Sequence, residues 1–140
     1  MKYFECPVCE KQIFFAKFVC DHCLSPIGSI ASEKEMTTFK KLNAQEWVPV
    51  AEKYQHSRYK PCYNYTHHQV CNWMIPVDDE EDFCESCQLT HVIPNLENSE
   101  NMIYWYRLEE AKRRFLYLTQ RMNIMPCLLY TSDAADDMQC

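Results

Sequence analysis

This sequence is almost without glycine. Gly28 is the one glycine in 140 residues, so the loops are not of the flexible linker kind. Long apolar runs are missing too. The largest patch near the start, IFFAKFV, is broken by Lys17 and falls far short of the ~20 residues that a bilayer span needs. No membrane partner is expected. The opening MKYFECPVCE lacks the apolar stretch of a secretory leader and already carries Cys6. That points to a cytoplasmic, reducing compartment, where CxxC pairs serve metals rather than disulfides. Positive charge is also short: fourteen Lys and Arg face twenty Asp and Glu, for a net charge of −6. Phosphate binding draws on net or clustered positive charge, so nucleic acid is disfavoured as the main partner. Finally, no HExxH occurs anywhere, which excludes a zincin centre built from these residues.

Cysteine is what the chain has in excess, with ten. Aromatics make up 14%, enough for small cores rather than one large one. A chain this short commonly adds metals or disulfides to its core, and the expected compartment selects metals. The first four cysteines run Cys6-Pro-Val-Cys9, then ten residues, then Cys20-Asp-His-Cys23. A CxxC turn aims both sulfurs at one centre, and two such turns close a tetrahedron about Zn²⁺. The intervening KQIFFAKFV suits a short hairpin with its aromatic side under the metal. Iron in a rubredoxin-like electron carrier is the alternative for the same thiolates. Glu10 and Leu24 stand where glycine commonly follows the second cysteine, which leaves the turn geometry open.

The second four are Cys62, Cys71, Cys84 and Cys87. Cys84-Glu-Ser-Cys87 is a regular knuckle, but eight residues separate Cys62 from Cys71. On spacing alone, His67 or His68 can replace Cys71 in the shell. Adjacent histidines diverge in either helix or strand, so they make no catalytic pair. His22 is expected to face solvent or a thiolate, and spacing identifies no partner for His56 or His91.

Thr37-Thr38-Phe39 and Trp47-Val48-Pro49-Val50 read as strands of a small antiparallel sheet between the cysteine groups. The acids at 78–82, DDEED, lack the spacing of a calcium loop and read as a solvated loop. From Ser99 the period changes. Tyr104, Leu108, Ala111, Phe115, Leu118 and Met122 recur at steps of four and three, which predicts the apolar face of a helix. Ser99 is the expected N-cap, with Glu100 in the first turn. Glu109–Arg113 and Glu110–Arg114 are expected ion pairs, and Lys112-Arg113-Arg114 an expected solvated face. This helix offers more apolar surface than a small ribbon needs, which predicts packing against something further along. The final stretch MPCLLYTSDAADDMQC shows neither cap nor period, and CLLYTSDAADD resembles a translated sequencing adapter. Residues 126–140 are expected to be a non-native or disordered tail.

Several strings, CPVC…CDHC, CYNY…CNWMIP, FCESC, IPNLEN and LEEAKRRFLYL, follow one another over about residues 3–126. Together they resemble the bacterial zinc-binding metallopeptidases that carry an N-terminal zinc-ribbon region. The block from Cys62 to Leu96 is the most specific part, and the helix matches at Ala111–Arg114. Family members carry cysteine where Cys62, Cys71, Cys84 and Cys87 stand, so the resemblance implies a second four-sulfur site. It also implies an HExxH-type catalytic segment downstream of this helix, which this sequence does not contain. The chain is then a fragment whose partner in cis is the missing peptidase domain, and no catalytic residue carries over to it.

The expected fold is small, metal-dominated α+β: two zinc-ribbon or knuckle sites with short antiparallel strands, then one long C-terminal helix. The expected segments are a first ribbon at 1–30, a short β segment at 31–55, the second four-cysteine site at 56–97 and the helix at 98–125. Two structural Zn²⁺ ions are expected, on Cys6, Cys9, Cys20 and Cys23 and on Cys62, Cys71, Cys84 and Cys87. Filled shells leave no place for water, so the chain as it stands is expected to be a structural module and not an enzyme. A protein or peptide partner fits this expectation. A nucleic-acid-binding zinc ribbon and the rubredoxin-like carrier are the alternatives.

Overall fold

The computed structural model describes residues 4–124. The tail expected at 126–140 lies outside them. The chain divides into two units, one ending at Cys84 and the other beginning at Glu85.

In the first unit, β1 (Phe4–Glu5) and β2 (Gln12–Ile13) pair antiparallel as a two-stranded ribbon. Five strands follow: β3 (Ile27–Ile30), β4 (Glu35–Lys41), β5 (Trp47–Pro49), β6 (Tyr59–Pro61) and β7 (Trp73–Pro76). They close a barrel in chain order. Four of its pairs are antiparallel. Five strands that alternate in direction bring the first and last together pointing the same way. The closing pair, β3 with β7, is therefore parallel, with Ser29 opposite Trp73 and Ile30 opposite Met74. A parallel pair needs a long crossover; here the rest of the barrel is the crossover.

The two strands expected between the cysteine groups form and pair antiparallel, with Phe39 opposite Pro49, but as part of a five-stranded barrel rather than a separate small sheet. The barrel takes β3 from the segment expected as the first ribbon, β4 and β5 from 31–55, and β6 and β7 from the second cysteine segment. Its core is aromatic. The Phe39 ring centroid lies 6.3 Å from Trp47 and 6.0 Å from Tyr59, and Trp47 lies 5.4 Å from Tyr65. In β4, Met36, Thr37, Thr38 and Phe39 are all buried, without alternation. Strand β1 packs against β4, so both faces of β4 are covered and its burial runs continuously.

The single glycine sits in this barrel, not in a turn. A Cβ on Gly28 would stand 2.7 Å from Phe39 Cε1 and 2.8 Å from Met74 Sδ. Close approach of neighbouring strands, rather than an unusual backbone, requires glycine here. The left-handed positions fall to other residues: Glu10 (φ 62°), Leu24 (φ 61°), Lys34, Gln69 and Asn123.

In the second unit, one 3₁₀ turn (Cys87–Leu89) precedes an irregular run and then helix α2 (Ser99–Arg121). Its N-cap is Asn98 rather than Ser99: the Asn98 side chain accepts from the Glu100 N–H at 3.0 Å. The helix stops at Arg121, short of the expected 125. Asn123 takes the left-handed C′ position, with Asn123 N–H bonded to Gln120 O (3.2 Å) and Ile124 N–H to Thr119 O (2.8 Å). That is a Schellman stop.

The face of α2 is the second correction. Of the expected apolar stripe, Leu108 is 70% and Met122 65% exposed, and Tyr104, Phe115 and Leu118 are exposed as well. The buried positions are Trp105, Glu109, Arg113, Leu116, Tyr117 and Thr119. The polar members, Glu109, Arg113 and Thr119, hid this face from a hydrophobicity pattern. Glu109 is satisfied from three sides: Trp105 Nε1 (3.1 Å) and Thr90 Oγ1 (2.9 Å) donate to Oε1, and Lys112 Nζ stands 2.9 Å from Oε2. Burying a carboxylate is tolerable only with such pairing. Arg113 is fully buried, so Lys112-Arg113-Arg114 is not a solvated face. The expected Glu110–Arg114 pair forms at 3.2 Å.

Candidate metal centres

The two knuckles of the first quartet are built alike. In one, Cys6 N–H bonds Lys11 O (2.8 Å) and Glu10 N–H bonds Cys6 O (2.8 Å); in the other, Cys20 N–H bonds Ser25 O (3.0 Å) and Leu24 N–H bonds Cys20 O (3.0 Å). Each chain turns through a left-handed residue directly after the second cysteine. The missing glycine therefore does not alter the turn. Glu10 and Leu24 adopt the conformation at some cost in strain.

The turns bring all four sulfurs of Cys6, Cys9, Cys20 and Cys23 within 4.8 Å of one another. Cys6 Sγ lies 3.5 Å from Cys23 Sγ, and Cys9 Sγ 3.6 Å from Cys20 Sγ. A disulfide needs about 2.05 Å, so these are not bonded pairs. Sulfurs ~2.3 Å from a tetrahedral zinc stand ~3.8 Å apart, which matches the spacing seen. Cys6 and Cys20 are buried while Cys9 and Cys23 are partly open to solvent. The Ser25 hydroxyl, 3.2 Å from Cys23 Sγ, and then the Ser25 N–H hold the Cys23 thiol down at about 6. At Cys9 the Lys11 N–H lowers the thiol, but desolvation and the sulfurs of Cys20, Cys6 and Cys23 together push it up to about 11.

The second quartet is fully buried, and its sulfurs also lie within 4.8 Å. Cys71 Sγ stands 3.5 Å from Cys84 Sγ. Its irregular spacing has a local explanation. Cys62 follows β6 and opens the short helix α1 (Tyr63–Thr66), with Tyr65 N–H on Cys62 O at 2.8 Å. Gln69, with φ 54°, then reverses the chain so that Val70 N–H reaches Asn64 O (3.1 Å) and Cys71 returns to the site. Backbone N–H groups point at the sulfurs: Trp73 N–H at Cys71 Sγ and Cys84 N–H at Cys62 Sγ, each 3.4 Å. Such donors stabilise thiolate charge and orient the ligands.

The histidines stay outside the quartet. His67 is exposed, stacked on Tyr63 with ring centroids 3.9 Å apart, and its Nδ1 lies 3.1 Å from Tyr63 O. Two residues of the same stretch have roles that spacing did not suggest. Asn72 is fully buried and donates from Nδ2 to Phe15 O (2.7 Å) and Lys17 O (3.0 Å). The Tyr65 hydroxyl donates to Ile27 O and to Phe18 O (3.1 Å). Both tie the loop of the first quartet to the stretch that carries Cys62 and Cys71. Burial pushes the Tyr65 hydroxyl well above its ordinary value.

Two thiolate quartets on knuckles and a ribbon define a protein of the zinc-ribbon class, and both groups fit structural zinc. The family comparison agrees: a zinc-ribbon domain profile matches residues 3–98, and the chain belongs to that family. The chain is 28% identical over 116 residues to an uncharacterized protein of Mycobacterium bovis, covering 83% of this chain and 30% of that relative. Uncharacterized proteins of two Mycobacterium tuberculosis strains match with the same identity and coverage. The chain thus spans about three-tenths of the length of the curated relatives it matches. No solved structure matches it. Among the described residues, no helix is long and apolar enough to cross a membrane.

Proposed function

We propose that this chain is a structural zinc-binding module of a longer protein resembling the zinc metallopeptidases, and that it carries no catalysis of its own. One observation bears the reading: each metal centre is closed by four protein sulfurs. A catalytic zinc keeps a position for water or substrate, whereas a four-thiolate shell fills every position. The metals then serve folding. Structural zinc in small peptides contributes about 10–16 kcal/mol of apparent binding free energy, and that is folding free energy. The relatives are about three times as long as the matched stretch, which leaves room for a domain that this module supports in cis.

The test begins with the purified full chain. A colourless protein with two zinc atoms per chain, no hydrolysis of casein and no affinity for DNA or RNA at low salt is expected. A red, iron-loaded protein would identify an electron carrier, and salt-dependent nucleic-acid binding a nucleic-acid ribbon; either overturns the proposal. The peptidase association is tested on a full-length mycobacterial relative. Zinc-dependent cleavage that survives substitution of these cysteines, with loss of solubility or thermal stability, is the expected result. A zinc-loaded relative inactive on all peptide substrates would remove the association.

A further inference from the structure

Helix α2 leaves an apolar stripe uncovered. Tyr104, Leu108, Ala111, Phe115, Leu118 and Met122 follow one another at steps of four and three, and all six are exposed. That spacing is the seam of a two-helix contact, where side chains of one helix enter the gaps of the other. Ala111, small and near the middle, permits close approach. The flanks of this stripe are not neutral. Arg107, Arg114 and Arg121 stand directly before Leu108, Phe115 and Met122, seven residues apart, and so line one edge. The other edge carries Trp105, Lys112 and Thr119. Neither flank bears an acid. Glu110, one residue further round, is engaged with Arg114, and Glu109 is buried on Lys112.

This charge pattern selects the occupant. An antiparallel second copy would set arginine against arginine. A parallel copy would set the arginines against Trp105, Lys112 and Thr119. Neither arrangement supplies a counter-charge, and flanking charges decide helix pairing. An amphipathic helix with glutamate or aspartate beside its apolar stripe supplies it along the whole edge. The seam covers fewer than the three to four heptads that a freestanding coiled coil needs. A contact this short is best sustained by a tether that raises the effective concentration.

We propose that the stripe of α2 docks an acid-flanked amphipathic helix supplied by the further polypeptide of the longer family members. The inference rests on the module reading above and names the face and the chemistry of its partner. It is tested on the zinc-loaded full chain with two synthetic 22-residue helices. Both carry leucine along the stripe; one has glutamate on both flanks and the other lysine. In an NMR titration at low millimolar concentration, the glutamate peptide is expected to shift the resonances of Leu108, Phe115 and Leu118. It should bind about tenfold tighter than the lysine peptide, the combined effect of three surface charge pairs. The gap should close in high salt. Arg107→Glu/Arg114→Glu/Arg121→Glu should reverse the preference. Arg107→Gln/Arg121→Gln, which leaves the Glu110–Arg114 pair intact, should abolish most of it; circular dichroism and zinc content monitor the fold of both variants. Equal binding of the two peptides, binding of neither, or a dimer of the chain that Leu108→Glu dissolves would each overturn the proposal. These outcomes read the helix face alone, so they are separate from the activity test on the full-length relative.

Discussion

Glu10 offers a direct test of how the knuckles are held. It is exposed, lies in the left-handed region at φ 62°, and follows the metal ligand Cys9. A residue with a Cβ pays about 1–2 kcal/mol in that conformation. Glycine does not, but it loses more freedom on folding, at about 0.5–1 kcal/mol. The net gain for Glu10→Gly is then about 0.5–1 kcal/mol. Removing a carboxylate beside a thiolate cluster adds to it. Glu10→Ala separates the two contributions, because alanine also removes the charge but keeps the strain. Glycine should exceed alanine by about 0.5–1 kcal/mol, or about 3 °C in thermal midpoint for a domain of this size. Urea and thermal unfolding should be run in a zinc buffer, since free metal shifts apparent stability by mass action. The slope against urea should not change. A glycine variant no more stable than the alanine variant would refute the strain argument, and with it the equivalence of the two knuckles. Leu24→Gly should follow the same direction.

Gly28→Ala should destabilise the barrel by about 1–3 kcal/mol, the usual cost of overpacking, read as an earlier urea midpoint. Tyr65→Phe should cost about 1–2 kcal/mol through the two carbonyls it leaves. The folded-state value of Tyr65 is raised, so wild-type stability should fall as pH rises above about 10, where the unfolded chain ionises and the folded chain does not. Tyr65→Phe should flatten that alkaline fall, as followed by circular dichroism. Cys71→Ser should lower the zinc content from two atoms per chain to one, measured by atomic emission. A chelator should strip the quartet of Cys9 and Cys23, which are partly open to solvent, before the fully buried second quartet. In a colorimetric release assay the two zincs should leave in separate phases.

The first quartet was legible because two CxxC turns a short ribbon apart have few other uses. The second was legible in part. Cys84 and Cys87 form a knuckle, but α1 and the reversal at Gln69 that return Cys71 to the site leave no pattern in the sequence. The long helix was visible from its period, and its stop lies in Asn123. The buried face was not visible, because its centre is Glu109 and Arg113, whose burial depends on partners rather than on hydrophobicity. The barrel was hidden for a different reason. Strands β5 and β6 have three residues each, too few to display alternation, and closure joins β3 to β7 across the whole barrel sequence. Of the resemblance, the zinc-ribbon part is what the family match over residues 3–98 supports.

Barrel closure has a consequence for solubility. A closed sheet exposes no row of free backbone donors and acceptors. In this barrel the parallel seam joins β3 to β7, and Cys71 stands two residues before β7 while Cys62 directly follows β6. The second zinc thus fastens both ends of the loop that delivers the closing strand. Once zinc is withdrawn from this buried second quartet, that strand loses its anchor. An opened barrel then presents two bare edges to neighbouring chains. Removal of that zinc is therefore expected to make the chain aggregate through these edges, read as light scattering that rises with chelator.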